Sequence, residues 1–193
     1  MTAYHAPKTD YTIDEYLEIE FRKGERFEYY NGKLIPMPGG SIEHNRICRN
    51  LIMYLGAALE EKINYEVFGS DQKVYLPHFN FYLYPDAIVV TTVPETVEND
   101  TQAIINPVLI VEVASPSTAK FDRGDKFADY KSIPTFQEYV LVRQDSPEVN
   151  LFFREAPDLW RSTDIMGLEN NVFFRSIETE LSMERIYRKV QFK

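Results

Sequence analysis

A chain of 193 residues with 44% hydrophobic and 26% charged side chains has ordinary globular composition, which excludes wholesale disorder and fits one domain of roughly 100 to 200 residues. Its 30 acidic against 21 basic residues leave a formal charge of -9, which argues against indiscriminate coating of nucleic acid but leaves room for a local basic groove or a metal-bridged phosphate. The single cysteine, Cys48, forbids an internal disulfide, the start from Met1 to Asp10 lacks a signal-type apolar core, and no run approaches the ~20 apolar residues of a membrane span. A soluble cytoplasmic protein with no membrane partner is expected.

Taken in chain order, Thr12 followed three residues later by Glu15 predicts a capping box, opening a short helix through Ile13, Tyr16, Leu17 and Ile19. Phe27 to Tyr30 and Lys33 to Met37 flank Asn31-Gly32, a strong hairpin signal, so Glu28 falls on a strand. After Pro38-Gly39-Gly40, Ser41 caps a long helix whose Ile47, Leu51, Leu55 and Leu59 recur every four residues, with Cys48 and Ile52 alongside. His44 lies at the start of that core-facing stripe, while Arg46, Arg49 and Asn50 point elsewhere. Strand-like runs follow at Tyr65 to Leu76, Phe81 to Val90 and Val108 to Ala114, the last two separated by an acidic loop, Pro94 to Asp100. A helix from about Asp122 to Lys131 and a strand from Glu138 to Val142 complete an α/β sandwich whose later strands are joined by a crossover. Val149 to Arg154, Trp160 to Ile165 and Val172 to Phe174 read as further strands or edge pieces, and Ser182 to Tyr187 as a terminal helix.

The run Val108-Leu109-Ile110-Val111-Glu112-Val113-Ala114 is apolar on both faces apart from Glu112, as befits a strand covered on two sides. An ionised carboxylate there is costly unless it is paired or bound to a cation. Asp86 sits beside the apolar Ala87 to Val90 of the preceding run, so neighbouring strands would let the two acids converge. Hard oxygen donors of this kind, completed by a main-chain carbonyl and water, suit Mg²⁺ or Mn²⁺. Lys126, on the helix directly after the Glu112 strand, is positioned to reach them and to serve an attacking water or developing charge. The alternative for Glu112 is a structural ion pair with Lys126 or Arg123. Cys48 reads as a small hydrophobe with nothing nearby to activate it.

These segments resemble a known family. Tyr84-Pro85-Asp86, Asn106-Pro107 through Glu112 to Thr118, Phe121-Asp122-Arg123-Gly124-Asp125-Lys126 through Tyr130, and Ile133-Pro134 through Val142 are similar to the "putative restriction endonuclease" family of the PD-(D/E)xK nuclease superfamily. Glu28 with Asn31-Gly32, His44, and Ser70-Asp71 fit as well, and the resemblance runs from about Tyr11 to Trp160. It implies a restriction-endonuclease-like α-β-β-β-α-β core, with a mixed central sheet flanked by helices, an added N-terminal hairpin and C-terminal strands. The whole chain, 1-193, would form one such domain, with 161-193 an extension packed on the core.

The resemblance further implies a Mg²⁺-dependent DNA endonuclease in which Asp86 and Glu112 hold the metal with the Val113 carbonyl as third ligand. The lysine expected two residues after the glutamate is Ala114 here, and its role passes to Lys126 on the following helix. Glu28 resembles an additional acid acting on the metal through water; His44 and Asp71 are supporting or substrate groups, and Tyr130 orients Lys126 from one turn away. Arg46, Arg49, Lys73, Lys120 and Arg123 are candidates for a positive rim contacting DNA. A homodimer is expected because cleavage of both strands often pairs two sites. Against the enzyme stands a non-catalytic member of the same fold that binds nucleic acid or protein, favoured by the acidic surface and the displaced lysine; a phosphohydrolase for small nucleotides is a third reading.

Overall fold

The computed structural model describes residues 10–37, 39–98, 100–116 and 118–192; the reading of residues 1–9 and of Pro38, Asn99 and Ser117 in the quoted segments falls outside them. Helix α1, Ile13–Lys23, opens on the expected capping box: the Glu15 N–H donates to Thr12 Oγ1 at 3.2 Å and the Thr12 N–H to Glu15 Oε2 at 2.9 Å. Strands β1, Phe27–Tyr30, and β2, Lys33–Pro36, pair antiparallel across Asn31-Gly32, both residues having positive φ (42° and 102°) as a tight hairpin turn requires. Helix α2, Ile42–Leu59, starts at Ser41, whose hydroxyl accepts from the His44 N–H.

The next two apolar runs each divide between two sheets. Tyr65 to Leu76 becomes β3, Tyr65–Gly69, and β4, Lys73–Leu76, on either side of Ser70-Asp71-Gln72; Phe81 to Val90 becomes β5, Phe81–Leu83, and β6, Ala87–Thr91, broken at Pro85, which has no N–H to give a ladder. β4 and β5 pair as a hairpin that leaves the sheet of β3 and β6. The acidic loop holds a short strand β7, Thr96–Val97, and runs into β8, Asp100–Ile104, a strand without strong periodicity in the sequence.

Strand β9, Pro107–Ala114, is buried along its whole length and lies inside a sheet of order β12-β11-β10-β9-β6-β3. Here β10 is Glu138–Arg143, β11 Glu148–Ala156 and β12 Leu159–Met166. β9 and β10 are parallel, joined by a helical crossover made of α3, Ala119–Phe121, a π-helical turn over Asp122–Lys126, and α4, Phe127–Tyr130. The sequence α2-β3-β6-β9-crossover-β10 is the α-β-β-β-α-β core. A second sheet, of order β2-β1-β5-β4-β8-β7, covers one side of it.

Alternation along β9 then decides where each side chain goes. Leu109, Val111 and Val113 pack with Ile47, Leu51, Leu55 and Leu59 of α2, whereas Ile110 and Ala114 pack with Val74, Leu76 and Leu83 of the second sheet and Phe127 and Tyr130 of α4. Glu112 shares the parity of Ile110 and Ala114. It therefore points between the two sheets, towards α4.

Beyond the core, β13, Asn171–Phe174, and β14, Thr179–Ser182, form a hairpin, and with α5, Met183–Ile186, they join the cluster around α2. This corrects the expectation for Asn50, which is fully buried: its Nδ2 donates to the Ile186 and Arg188 carbonyls, each at 2.9 Å, and ties α2 to the C-terminal segment. Asn50→Ala strands those carbonyls and is expected to cost about 2 kcal/mol in urea denaturation; an unchanged midpoint would remove the tie. No helix among the described residues is long and apolar enough to cross a membrane.

Candidate active site

The break at Pro85 leaves Asp86 at the seam where the chain returns from the second sheet into β6. There Asp86 Oδ2 accepts from the Val113 N–H at 2.7 Å, pinning the aspartate to the strand that carries Glu112. Its other oxygen lies 3.2 Å from His44 Nε2 at the start of α2. Asp86, Glu112, Val113, His44, Glu28 and Lys126 all line one cleft of about 980 Å³ between the sheets and the crossover helix.

Lys126 is the hinge of the cluster. Its Nζ lies 2.9 Å from Glu112 Oε1 and 2.9 Å from Glu28 Oε1, and the lysine is only 6% exposed. The π-helical turn that presents it also turns Asp122 inward, 6% exposed and in the same cleft. Glu28, whose hairpin position alone predicts a water-facing side chain, is covered by the crossover helix instead. Tyr30 OH donates to Glu28 Oε2 at 3.0 Å, and Tyr130 OH to Glu112 Oε1 at 2.9 Å. Tyr130 thus orients Glu112, the partner of Lys126, where the sequence pointed to Lys126 itself.

Electrostatics follow from this crowding. Burial lifts the Glu112 carboxyl to about 8; the Lys126 ammonium pulls it back, and Asp86, Asp122 and Glu28 push it further up. Burial likewise raises Asp122, against the pull of Lys126. Desolvation disfavours the Lys126 ammonium, but Glu112 and Glu28 outweigh it and hold its pKa well above the ordinary lysine value. For His44, burial disfavours the cation, and the bond to Asp86 with the charges of Asp86 and Asp122 reverses the balance to a raised value. Burial keeps the Tyr130 phenol protonated and hence a donor.

Four carboxylates from four segments thus meet in one cleft with Lys126 as the cation paired among them. Asp86, Glu112 and the Val113 carbonyl offer oxygen donors on the cleft side. That chemistry fits a hard divalent ion such as Mg²⁺ or Mn²⁺, which would neutralise the excess acid.

Other expected residues lie elsewhere. Asp71 does not enter the cluster: its side chain is 96% exposed and accepts from Arg26 Nη1 at 2.6 Å. Lys73 cannot belong to a surface rim, because it is buried between Glu20 Oε2 at 3.0 Å and Asp100 Oδ2 at 2.9 Å, where it joins α1 to the second sheet. Arg46 pairs with Glu43 on its own helix, Arg49 donates to the Asn50 side chain, and Arg123 lies over the Phe152 ring; none of them lines the cleft, nor does Lys120. Besides Lys126 and His44, the cleft is lined by Arg26, which the sequence reading passed over; its guanidinium rests on Asp71 and the Ser70 carbonyl and over the Tyr84 ring. Asp122 was also missed, although its spacing of four from Lys126 on one helix is a legible signal. Cys48, read as inert, lies with Sγ 3.5 Å from His44 Nδ1.

Comparison with known proteins agrees with this architecture. The Uma2 family, described as "putative restriction endonuclease", matches residues 13–184, which extends beyond the core recognised from sequence into the C-terminal hairpin. Two uncharacterized proteins of Synechocystis sp. (strain ATCC 27184 / PCC 6803 / Kazusa) are similar. The protein sll1609 is 36% identical over 163 residues, 84% of this chain and 92% of its own; slr1290 is 33% identical over 187 residues, 97% and 96%. Among solved structures, a "putative nuclease belonging to DUF820" from Anabaena variabilis ATCC 29413 superposes with TM-score 0.73 at 17% identity, covering 92% of this chain and 97% of that one.

Proposed function

Because the chain belongs to the Uma2 family and has a nuclease-like fold, we propose that it is a metal-dependent endonuclease hydrolysing DNA phosphodiester bonds by attack of water. The observation that carries the reading is the convergence of Asp86, Glu112 and Lys126, from a strand seam, a central strand and a helix, on one cleft. Asp86, Glu112 and the Val113 carbonyl are the residues that would hold Mg²⁺, with Mn²⁺ able to replace it. Such an ion acidifies water and neutralises charge on phosphoryl oxygens.

The chain's own residues supply the remainder. Lys126, kept as an ammonium by Glu28 and Glu112, acts as a donor to the attacking water or to the developing negative charge, not as a base. Tyr130 fixes the rotamer of Glu112, and His44 together with the Val113 N–H fixes that of Asp86. Glu28 and Asp122 balance Lys126 and border the cleft. Purified protein is expected to nick plasmid DNA with Mg²⁺ and to stop with EDTA. Folded protein that leaves every DNA form intact with either Mg²⁺ or Mn²⁺ would overturn the assignment.

Arg26 is the group placed to receive a phosphate of the substrate, since its fork is oriented by Asp71 and Ser70 at the cleft wall. Arg26→Ala is expected to weaken DNA binding about 10-fold, as measured by fluorescence anisotropy at fixed salt, with a larger effect than Arg49→Ala. Equal affinities for the two variants would move the DNA path away from this wall.

A cytoplasmic location and a homodimer accord with this reading. Sedimentation with and without DNA would establish whether two sites act together.

A further inference from the structure

Beside the oxygen donors lies a second cluster of different chemistry. Positions i and i+4 of α2 place His44 and Cys48 on one face, and Asp86 reaches the same point from the seam before β6. Donor atoms of His44, Cys48 and Asp86, one from each, all lie within 4.8 Å of one another. Two of the contacts are closer: Cys48 Sγ to His44 Nδ1 at 3.5 Å and His44 Nε2 to Asp86 Oδ1 at 3.2 Å. A tetrahedral zinc with bonds of about 2.3 Å to sulfur and 2.0 Å to nitrogen or oxygen sets donor–donor edges of about 3.3 to 3.5 Å. These two contacts engage opposite ring nitrogens, of which an ion takes one, so the 4.8 Å limit governs and the three donors stand within about 1.5 Å of ligating geometry, a gap that side-chain rotation of Cys48 and His44 closes. His44 and Asp86 line the cleft, so an ion has a path to the buried thiol.

We propose that Cys48, His44 and Asp86 form a binding site for a thiophilic divalent cation, Zn²⁺ or Cd²⁺, which takes Asp86 away from the oxygen site. Sulfur and imidazole select such ions over Mg²⁺, whereas Glu112 and the Val113 carbonyl favour the reverse. Ion binding displaces the thiol proton to solvent. Since both sites need Asp86, the two classes of cation are mutually exclusive: micromolar Zn²⁺ inhibits a reaction that Mg²⁺ supports. This inhibitory consequence rests on the proposed nuclease reading; the binding does not.

The test is a Cd²⁺ titration of the full chain, followed by the ultraviolet charge-transfer band between thiolate and metal. Cys48 is the single cysteine, so the band reports this site alone. The expected result is saturation at one equivalent, loss of the band in Cys48→Ser, at least ~10-fold weaker binding in His44→Gln, and competition by excess Mg²⁺. Circular dichroism checks the fold of each variant. X-ray absorption at the zinc edge of unmodified protein adds a measurement free of substitutions, with a sulfur shell expected at about 2.3 Å. No band from folded protein, an oxygen and nitrogen shell alone, or an unchanged midpoint in both His44→Gln and Asp86→Asn would overturn the proposal. A band from protein that never nicks DNA retains this site and removes the nuclease; Mg²⁺-dependent nicking without a band does the opposite.

Discussion

Replacing Lys126 with methionine is expected to lower Mg²⁺-dependent plasmid nicking by on the order of 100- to 1,000-fold, the range for removing one preorganised donor at a developing charge. Methionine keeps much of the stem volume, so the core around Phe127 and Tyr130 stays filled. It removes the cation shared by Glu28 and Glu112, both at 2.9 Å, so that Glu112, already lifted to about 8 beside the ammonium, is held protonated at neutral pH and the Glu28 carboxylate loses its partner charge. Folding stability should therefore fall by about 3 kcal/mol in urea denaturation at neutral pH. Lys126→Arg keeps the charge but replaces a compact ammonium with a planar fork whose donors fall at different points. It should recover stability better than activity. Full nicking by Lys126→Met would place the working donor elsewhere.

Asp86→Asn has the other large effect. The amide oxygen still accepts from the Val113 N–H, so the seam before β6 remains pinned and the fold survives. The anionic oxygen facing the cleft is gone. Nicking is expected to fall at least ~1,000-fold. Stabilisation by Mg²⁺ should vanish with it; for the unmodified chain it is expected to reach about 2.7 kcal/mol at a metal concentration 100 times the dissociation constant. Asp71→Ala, altering an aspartate on the open surface, should leave that metal response intact. If Asp86→Asn and the unmodified chain gained equal thermal stability from Mg²⁺, Asp86 would not be a ligand.

The parts of this architecture that local pattern controls were legible before any coordinates. The four-residue recurrence of Ile47, Leu51, Leu55 and Leu59 specifies α2, and the unbroken apolar stretch around Glu112 specifies a strand covered on both faces. The position of Lys126 on the crossover followed from those two elements. What periodicity does not encode is sheet membership: Tyr65 to Leu76 has one continuous strand-like pattern, yet its halves belong to different sheets. Lys73 was misread for that reason. On a surface strand it would be a cation for DNA, but α1 and β8 close over it and supply Glu20 and Asp100.

The same long-range docking explains the site residues that the sequence did not reveal. Glu28 is separated from Lys126 by nearly a hundred residues, and only the packing of the hairpin sheet against the crossover brings them together. Arg26 gains its orientation from Ser70 and Asp71, distant in sequence, and Cys48 its neighbours from the helical spacing and the Asp86 seam. Burial of a polar group depends on what lands on it. That information is distributed over the whole chain.

On the proposed function, Asp86 and Glu112 hold one divalent cation between β6 and β9. The most direct measurement of this is the anomalous signal of crystals soaked in Mn²⁺. A peak bonded to carboxylate oxygens of both residues, at about 2.0 to 2.3 Å, is predicted; crystals that bind Mn²⁺ only at other acidic groups, leaving Asp86 on the Val113 N–H and His44, would contradict it.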